Sequence, residues 1–137
     1  VEYLQTRVSQ QVSFSFKAPQ HPIYVEFNPA LHSWTIENLV KNAIDAMKGK
    51  GALNINITEL ENFVKIRITD TGKGIPKNQF SKVFEPGFTT KKRGWGLGLS
   101  LTKRIVQEYH KGKIKVEQSE LGKGTTMQMS FKKTPIV

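Results

Sequence analysis

The stretch Phe63-Val64-Lys65-Ile66-Arg67-Ile68-Thr69-Asp70-Thr71-Gly72-Lys73-Gly74 decides how this chain folds. Val64, Ile66 and Ile68 alternate with Lys65, Arg67 and Thr69, the period-two pattern of a strand buried on one face only. Asp70 falls in phase with the apolar set. A carboxylate aimed at the core is costly unless it is hydrogen-bonded. Outward from this stretch the same alternation recurs in Val12, Phe14, Phe16; Ile23, Val25, Phe27; Leu53, Ile55, Ile57; Ile114, Val116; and Met127, Met129, Phe131. Strands with one polar face suit a largely antiparallel sheet with helices on one side, because parallel sheets covered on both faces read as continuous apolar runs.

Helical periodicity predicts the covering layer. Over 28–48, Ile36, Leu39, Val40, Ala43, Ile44 and Met47 follow three-and-four spacing. Asn28-Pro29 supplies an N-cap and a proline at the first helical position, and Gly49 and Gly51 stop the helix. Over 97–110, Leu97, Leu101, Ile105 and Tyr109 form an i, i+4 ladder, and a short helix is expected over 77–84 after Pro76. Residues 1–10 read as the tail of a helix continuing from an upstream segment, and 11–137 as a single domain.

Composition sets the bounds. A chain of 137 residues fits one core without disulfide or metal support. Cysteine is absent, which removes disulfides, thiolate metal sites and a cysteine nucleophile. No segment approaches the roughly twenty apolar residues that cross a bilayer, so no membrane contact is expected of this domain. The formal charge of +10 raises a nucleic-acid reading. The basic residues are scattered, however, with no run longer than Lys91-Lys92-Arg93 and few aromatics placed to stack on bases. A solvated basic surface accounts for the charge better, and no nucleic-acid partner is expected.

Several positions carry chemistry. Asn38, Asn42 and Asp45 stand at i, i+4 and i+7 and share one stripe of the 28–48 helix, either a solvated face or a polar ledge. Asp70 before Thr71-Gly72 either satisfies turn amides or accepts a proton from a ligand amino group. Gly72 and Gly74 then make the turn or admit a flat ring close to the backbone. Gly94-Trp95-Gly96-Leu97-Gly98-Leu99 opens the third helix with alternate glycines, a source of phosphate-binding amides or simply of flexibility. No Gly-Lys pair is followed by Ser or Thr and no G-x-G-x-x-G occurs, so a phosphate site here is not of the Walker or dinucleotide type. Between Gly87 and Gly96 the composition is that of a loop closing on something anionic.

Taken together and in order, these segments resemble the catalytic ATP-binding domain of sensor histidine kinases, in the superfamily that also holds DNA gyrase B, Hsp90 and MutL. Glu37-Asn38-Leu39-Val40-Lys41-Asn42-Ala43 is similar to its N box and Asp70-Thr71-Gly72-Lys73-Gly74-Ile75 to its G1 box. Phe84-Glu85-Pro86-Gly87-Phe88 is similar to the F box, Gly94 to Leu99 to the G2 box, and Gly122-Lys123-Gly124-Thr125 to the last glycine box. The resemblance implies an α+β, Bergerat-type two-layer α/β sandwich: a mixed, mainly antiparallel sheet with three helices on one face.

For the site, the resemblance implies ATP and Mg²⁺. Asn42 would ligate the metal, Asn38 would assist at the phosphates, and Asp70 would accept the adenine amino proton beside Gly72, Gly74, Ile75 and Thr125. Gly94, Gly96, Leu97, Gly98 and Leu99 would offer amides to the phosphates. Phe88, Thr89, Thr90, Lys91 and Arg93 would belong to the lid, with Lys91 reaching the terminal phosphate. Asn38, Asn42 and Lys91 are thus its catalytic set. Guanine would set a carbonyl against Asp70, so GTP should bind poorly.

In the ATPase branches a glutamate that orients water occupies the position of Asn38. An amide is a poor base, so the resemblance implies phosphate held for another acceptor rather than for water. Glu37 lies about 100° away around the helix and is a poor substitute. His21, His32 and His110 are not followed by an acidic residue, so the acceptor histidine belongs on an upstream dimerisation domain, with a response regulator downstream. A cytoplasmic domain of a parent protein anchored in the inner membrane is the expected setting. The rival within the superfamily is an ATP-driven conformational switch. One departure stands out: many relatives carry Lys or Arg three residues after the metal asparagine, where this chain has Asp45. Lys91 and Arg93 are the replacements for that charge. Reversal of charge at Lys91 is expected to weaken ATP binding about tenfold or more relative to reversal at Lys113, measured by calorimetric titration.

Overall fold

The computed structural model describes residues 11–20, 29–85 and 98–133, with residues 29–32 and 109 described through their backbone only. The expected strand at 23–27, the cap at Asn28 and the upstream tail over 1–10 lie outside the described residues. In chain order the elements are β1 (Val12–Lys17), α1 (Pro29–Ala46), β2 (Gly51–Glu59), β3 (Phe63–Asp70), two 3-10 turns (Lys77–Gln79 and Lys82–Phe84), α2 (Gly98–Arg104, running on as a π turn over Ile105–Tyr109), β4 (Lys113–Glu120) and β5 (Gly124–Lys132).

Alternating side chains dictate the sheet. Its order is β1-β2-β3-β5-β4, with β1 parallel to β2 and the other pairs antiparallel. Ile55 lies opposite Ile68, Ile57 opposite Ile66, Ile66 opposite Met129, and Met129 opposite Ile114, so one face is a continuous apolar floor. On it α1 lays Leu39, Val40 and Ala43, the turn that follows lays Met47, α2 lays Val106, and the second 3-10 turn lays Val83 and Phe84. The covering of Val40 and Val106 is nearly complete, and burying such a side chain stabilises by roughly 1.5–3 kcal/mol each. On the polar face, Arg67 Nε donates to both oxygens of Glu117 at 3.0 and 3.1 Å, and Gln128 Nε2 donates to the same carboxylate. The edge strand β4 exposes Lys113 and Lys115, which discourages pairing with another chain.

Three expectations need correction. Leu101 is 43% exposed, and the buried stripe of α2 is Thr102, Ile105 and Val106. Neighbours on a helix point about 100° apart, so turning Thr102 inward turns Leu101 out. The helix expected over 77–84 is two 3-10 turns, whose tighter repeat sets Phe80 and Val83 on one side against the core. Phe16, at the inward phase of β1, is 46% exposed.

Both helices stop on a lysine in the left-handed region. Lys48 (φ 56°) precedes Gly49, whose N–H donates to Ile44 O at 3.0 Å, while Lys48 N–H donates to Asp45 O at 3.1 Å. Lys111 (φ 52°) precedes Gly112, whose N–H donates to Val106 O at 2.8 Å. A side chain in this conformation costs about 1 kcal/mol. Lys48→Gly is therefore expected to raise the thermal midpoint by roughly 3–5 °C, read by calorimetry.

Candidate functional site

At one end of the sheet the inward phase of β3 runs out on Asp70, directly opposite Thr125 of β5. Asp70 is 7% exposed. Burial pushes its carboxyl above the ordinary aspartate range, and backbone N–H groups of Gly72 and Thr125 oppose that rise. The Gly72 N–H donates to Oδ1 at 2.8 Å. Two partners are fewer than a carboxylate accepts, so the site retains acceptor capacity.

The loop after Asp70 is wedged between two elements. A Cβ on Gly72 would stand 2.6 Å from the carbonyl carbon of Ala46, and Lys73 N–H donates to that carbonyl at 3.1 Å. Gly74 (φ 81°) packs on the backbone of Glu120 so closely that a Cβ would collide with its carbonyl oxygen. Gly122 N–H donates to Lys73 O at 2.8 Å, closing the loop onto the β4–β5 hairpin. Ile75 N–H donates to Ser119 Oγ at 2.7 Å. Ser119 Oγ also donates to Gly124 O at 2.9 Å and lies 2.7 Å from Thr125 Oγ1.

At the other end, α1 crosses the start of α2. Asn38 Nδ2 donates to Gly98 O at 2.9 Å and to Thr102 Oγ1 at 2.7 Å, while Thr102 Oγ1 donates to Gly98 O at 2.7 Å. A carbonyl only accepts, so this contact fixes which way the amide points, with its NH₂ toward α2. Asn42, one turn on, is half-buried, and Asp45 is exposed. From Asn38 to the Ala46 contact with Lys73, α1 rises on the order of 12 Å, a span an extended nucleotide can bridge.

The structure thus gathers Asp70, Gly72, Gly74, Ile75 and Thr125 at one pole, and Asn38 and Gly98 at the other, with Leu99 packed on the core. Phe88, Thr89, Thr90, Lys91, Arg93, Gly94, Gly96 and Leu97 lie outside the described residues. Two residues escaped the sequence reading. Thr102, fully buried, carries the only polar side chain of the buried stripe of α2 among the described residues. Ser119 faces the site because the register slips between Val116 and Gln118, leaving Glu117 as the extra residue of a β-bulge. A hydroxyl in the middle of the helical ladder was a readable signal for the first. The second had none, since regular alternation puts Ser119 on the opposite face.

Comparison with known proteins shows the family and the fold. Residues 31–135 match the family model described as histidine kinase-, DNA gyrase B-, and HSP90-like ATPase. Sporulation kinase A of Bacillus subtilis (strain 168) is 44% identical over 96 residues, which is 70% of this chain and 16% of that protein. The sensor histidine kinase ZraS of Escherichia coli (strain K12) is 36% identical over 121 residues, 88% of this chain and 26% of that protein. The chain therefore spans about a quarter or less of these relatives. Among solved structures, the nucleotide-free catalytic domain of the histidine kinase ThkA superposes with a TM-score of 0.81 at 30% identity, covering 98% of this chain and 85% of that one. The chain belongs to the histidine kinase-, DNA gyrase B- and HSP90-like ATPase family, and within it to the ATP-binding catalytic domains of sensor histidine kinases.

Proposed function

We propose that the domain binds Mg·ATP along α1 and presents the γ-phosphate to a histidine on a dimerisation segment outside this chain. The observation that carries this reading is a buried carboxylate, Asp70, facing Thr125 at the end of an apolar strand phase. Adenine enters there, its amino group donating to Asp70, while Gly74 and Ile75 border the ring.

The phosphates extend toward Asn42 and the α1–α2 crossing. Among the described residues no three His, Cys, Asp or Glu side chains gather as a metal cage. A single neutral oxygen donor such as that of Asn42 fits Mg²⁺, which takes one or two protein oxygens and completes its shell with phosphate and water. Asn42, a neutral oxygen donor half-buried on α1, is the residue that would hold it. When bound, the metal supplies charge neutralisation at the triphosphate. Asn38 assists at the phosphates through its side-chain oxygen, while its NH₂, engaged by Gly98 and Thr102, positions the start of α2. In this proposal Lys91 and Arg93 supply positive charge to the terminal phosphate, and Phe88, Thr89 and Thr90 belong to the same lid segment.

A group that cannot take a proton at position 38 leaves water unactivated, which favours transfer over hydrolysis. His110 is buried against Phe131, with ring centroids 6.0 Å apart, and does not serve as acceptor. One solved structure holds the related kinase ThkA in complex with the response regulator protein TrrA. A response regulator is accordingly the downstream partner proposed here, and the parent protein a sensor anchored in the inner membrane with this domain in the cytoplasm. Among the described residues no helix is long and apolar enough to cross a membrane.

Asp70→Asn is expected to weaken Mg·ATP binding by about 10- to 100-fold and to erase the preference over GTP, measured by calorimetry. Because burial raises its pKa, Asp70 takes up a proton at a higher pH than an exposed aspartate does. Wild-type affinity for ATP should then fall on acidification from that higher pH, while the Asp70→Asn variant gives a flat profile over the same range. Supplying the upstream helical segment of the parent protein with labelled ATP should label a histidine on that segment. Steady hydrolysis by the domain without such labelling would instead assign it to the conformational-switch class.

A further inference from the structure

Ser119 has one proton and two lone pairs, and three polar neighbours surround its oxygen. The Ile75 amide can only donate, at 2.7 Å, and takes one lone pair. The Gly124 carbonyl can only accept, at 2.9 Å, and takes the proton. The third neighbour, Thr125 Oγ1 at 2.7 Å, is left with the second lone pair, and must donate to it. The Thr125 hydroxyl proton is thereby turned toward Ser119. Its own lone pairs remain, on a side chain 6% exposed and directly across from Asp70.

We propose that Ser119 is a specificity-setting positioning residue: by holding the Thr125 proton, it makes Thr125 and Asp70 an acceptor-only pair that admits a purine with a 6-amino group and rejects a 6-oxo purine. The inference rests on the reading that adenine enters beside Asp70, and assigns to a residue outside the base contacts the sense of the hydroxyl within them. A threonine hydroxyl free to rotate could donate to a 6-oxo group and soften its rejection. Ser119 denies it that option. The bulge at Glu117, held out over the polar face by Arg67 and Gln128, is what brings Ser119 into the pocket phase. The same serine anchors Ile75, so the loop that borders the base and the hydroxyl that reads it share one oxygen.

The test is the ratio of affinities for ATP and inosine triphosphate, measured with Mg²⁺ on the 137-residue chain. Ser119→Ala should lower the ratio about tenfold, chiefly by tightening inosine triphosphate relative to ATP. In a Thr125→Val background, where no hydroxyl needs orienting, the same substitution should leave the ratio unchanged. A ratio unaltered by Ser119→Ala, or an equal drop in the Thr125→Val background, overturns the proposal. If Ser119→Ala fails to fold, Ser119→Cys, with a similar volume and a weakly donating thiol, is measured under the same two criteria. A wild-type chain with no preference between the two nucleotides, together with an Asp70→Asn variant of unchanged ATP affinity, would instead sink the adenine reading itself.

Discussion

An ionisable carboxyl sunk at the end of an apolar strand is the constraint around which this domain is arranged. Asp70 is buried because β3 keeps strict alternation to its last residue, and an ionised group there is tolerated only while backbone N–H groups face it. Meeting that need dictates the rest of the pole. The chain must turn at once, so Gly72 supplies its amide and slides against Ala46. The hairpin between β4 and β5 then closes over Lys73 and Gly74. Binding chemistry and loop geometry are in this sense one solution to one electrostatic problem.

The helix α1 carries that arrangement to the second pole. Its inner face is fixed by Leu39, Val40 and Ala43 on the sheet, and its flank by Asn38 against Gly98 and Thr102. A rigid, well-packed helix is a better ruler than a loop, and functional groups on such elements hold their spacing. Asn42 lies between the two anchorages. Movement of α2 relative to α1 must first break the hydrogen bonds from Asn38 to Gly98 and Thr102, which couples the start of α2 to the helix that bears the metal-binding candidate.

Much of this was legible from residue order. The phase of Asp70, the stripe that places Asn38 and Asn42 together, and the end of α1 ahead of Gly49 follow from period and from backbone sterics, whereas Gly51, expected to help stop the helix, instead opens β2. The contents of α2 did not, because an apolar ladder marks what is greasy and not what is buried: Leu101 faces out, while the hydroxyl of Thr102 is enclosed by the polar groups it bonds. Ser119 was hidden for a different reason. One inserted residue at Glu117 reverses the facing of everything after it in β4, and nothing in the local pattern announces the slip. The 3-10 turns were likewise invisible, since Phe80, Val83 and Phe84 satisfy either helical repeat.

The parallel pairing of β1 with β2 has a kinetic side. Val12 lies opposite Gly51, and the chain between them has to form α1 before the two ends can meet. By contrast β2 with β3, and β4 with β5, join through tight reversals and close over few residues. Closure entropy grows with the length of the intervening chain, so the two hairpins assemble early and the longer closures, β1 onto β2 and β5 onto β3, follow. As an edge strand paired with β2 alone and leaving Phe16 exposed, β1 loses less on local opening than β2 or β3 would, which draws a foldon boundary along the β1–β2 seam.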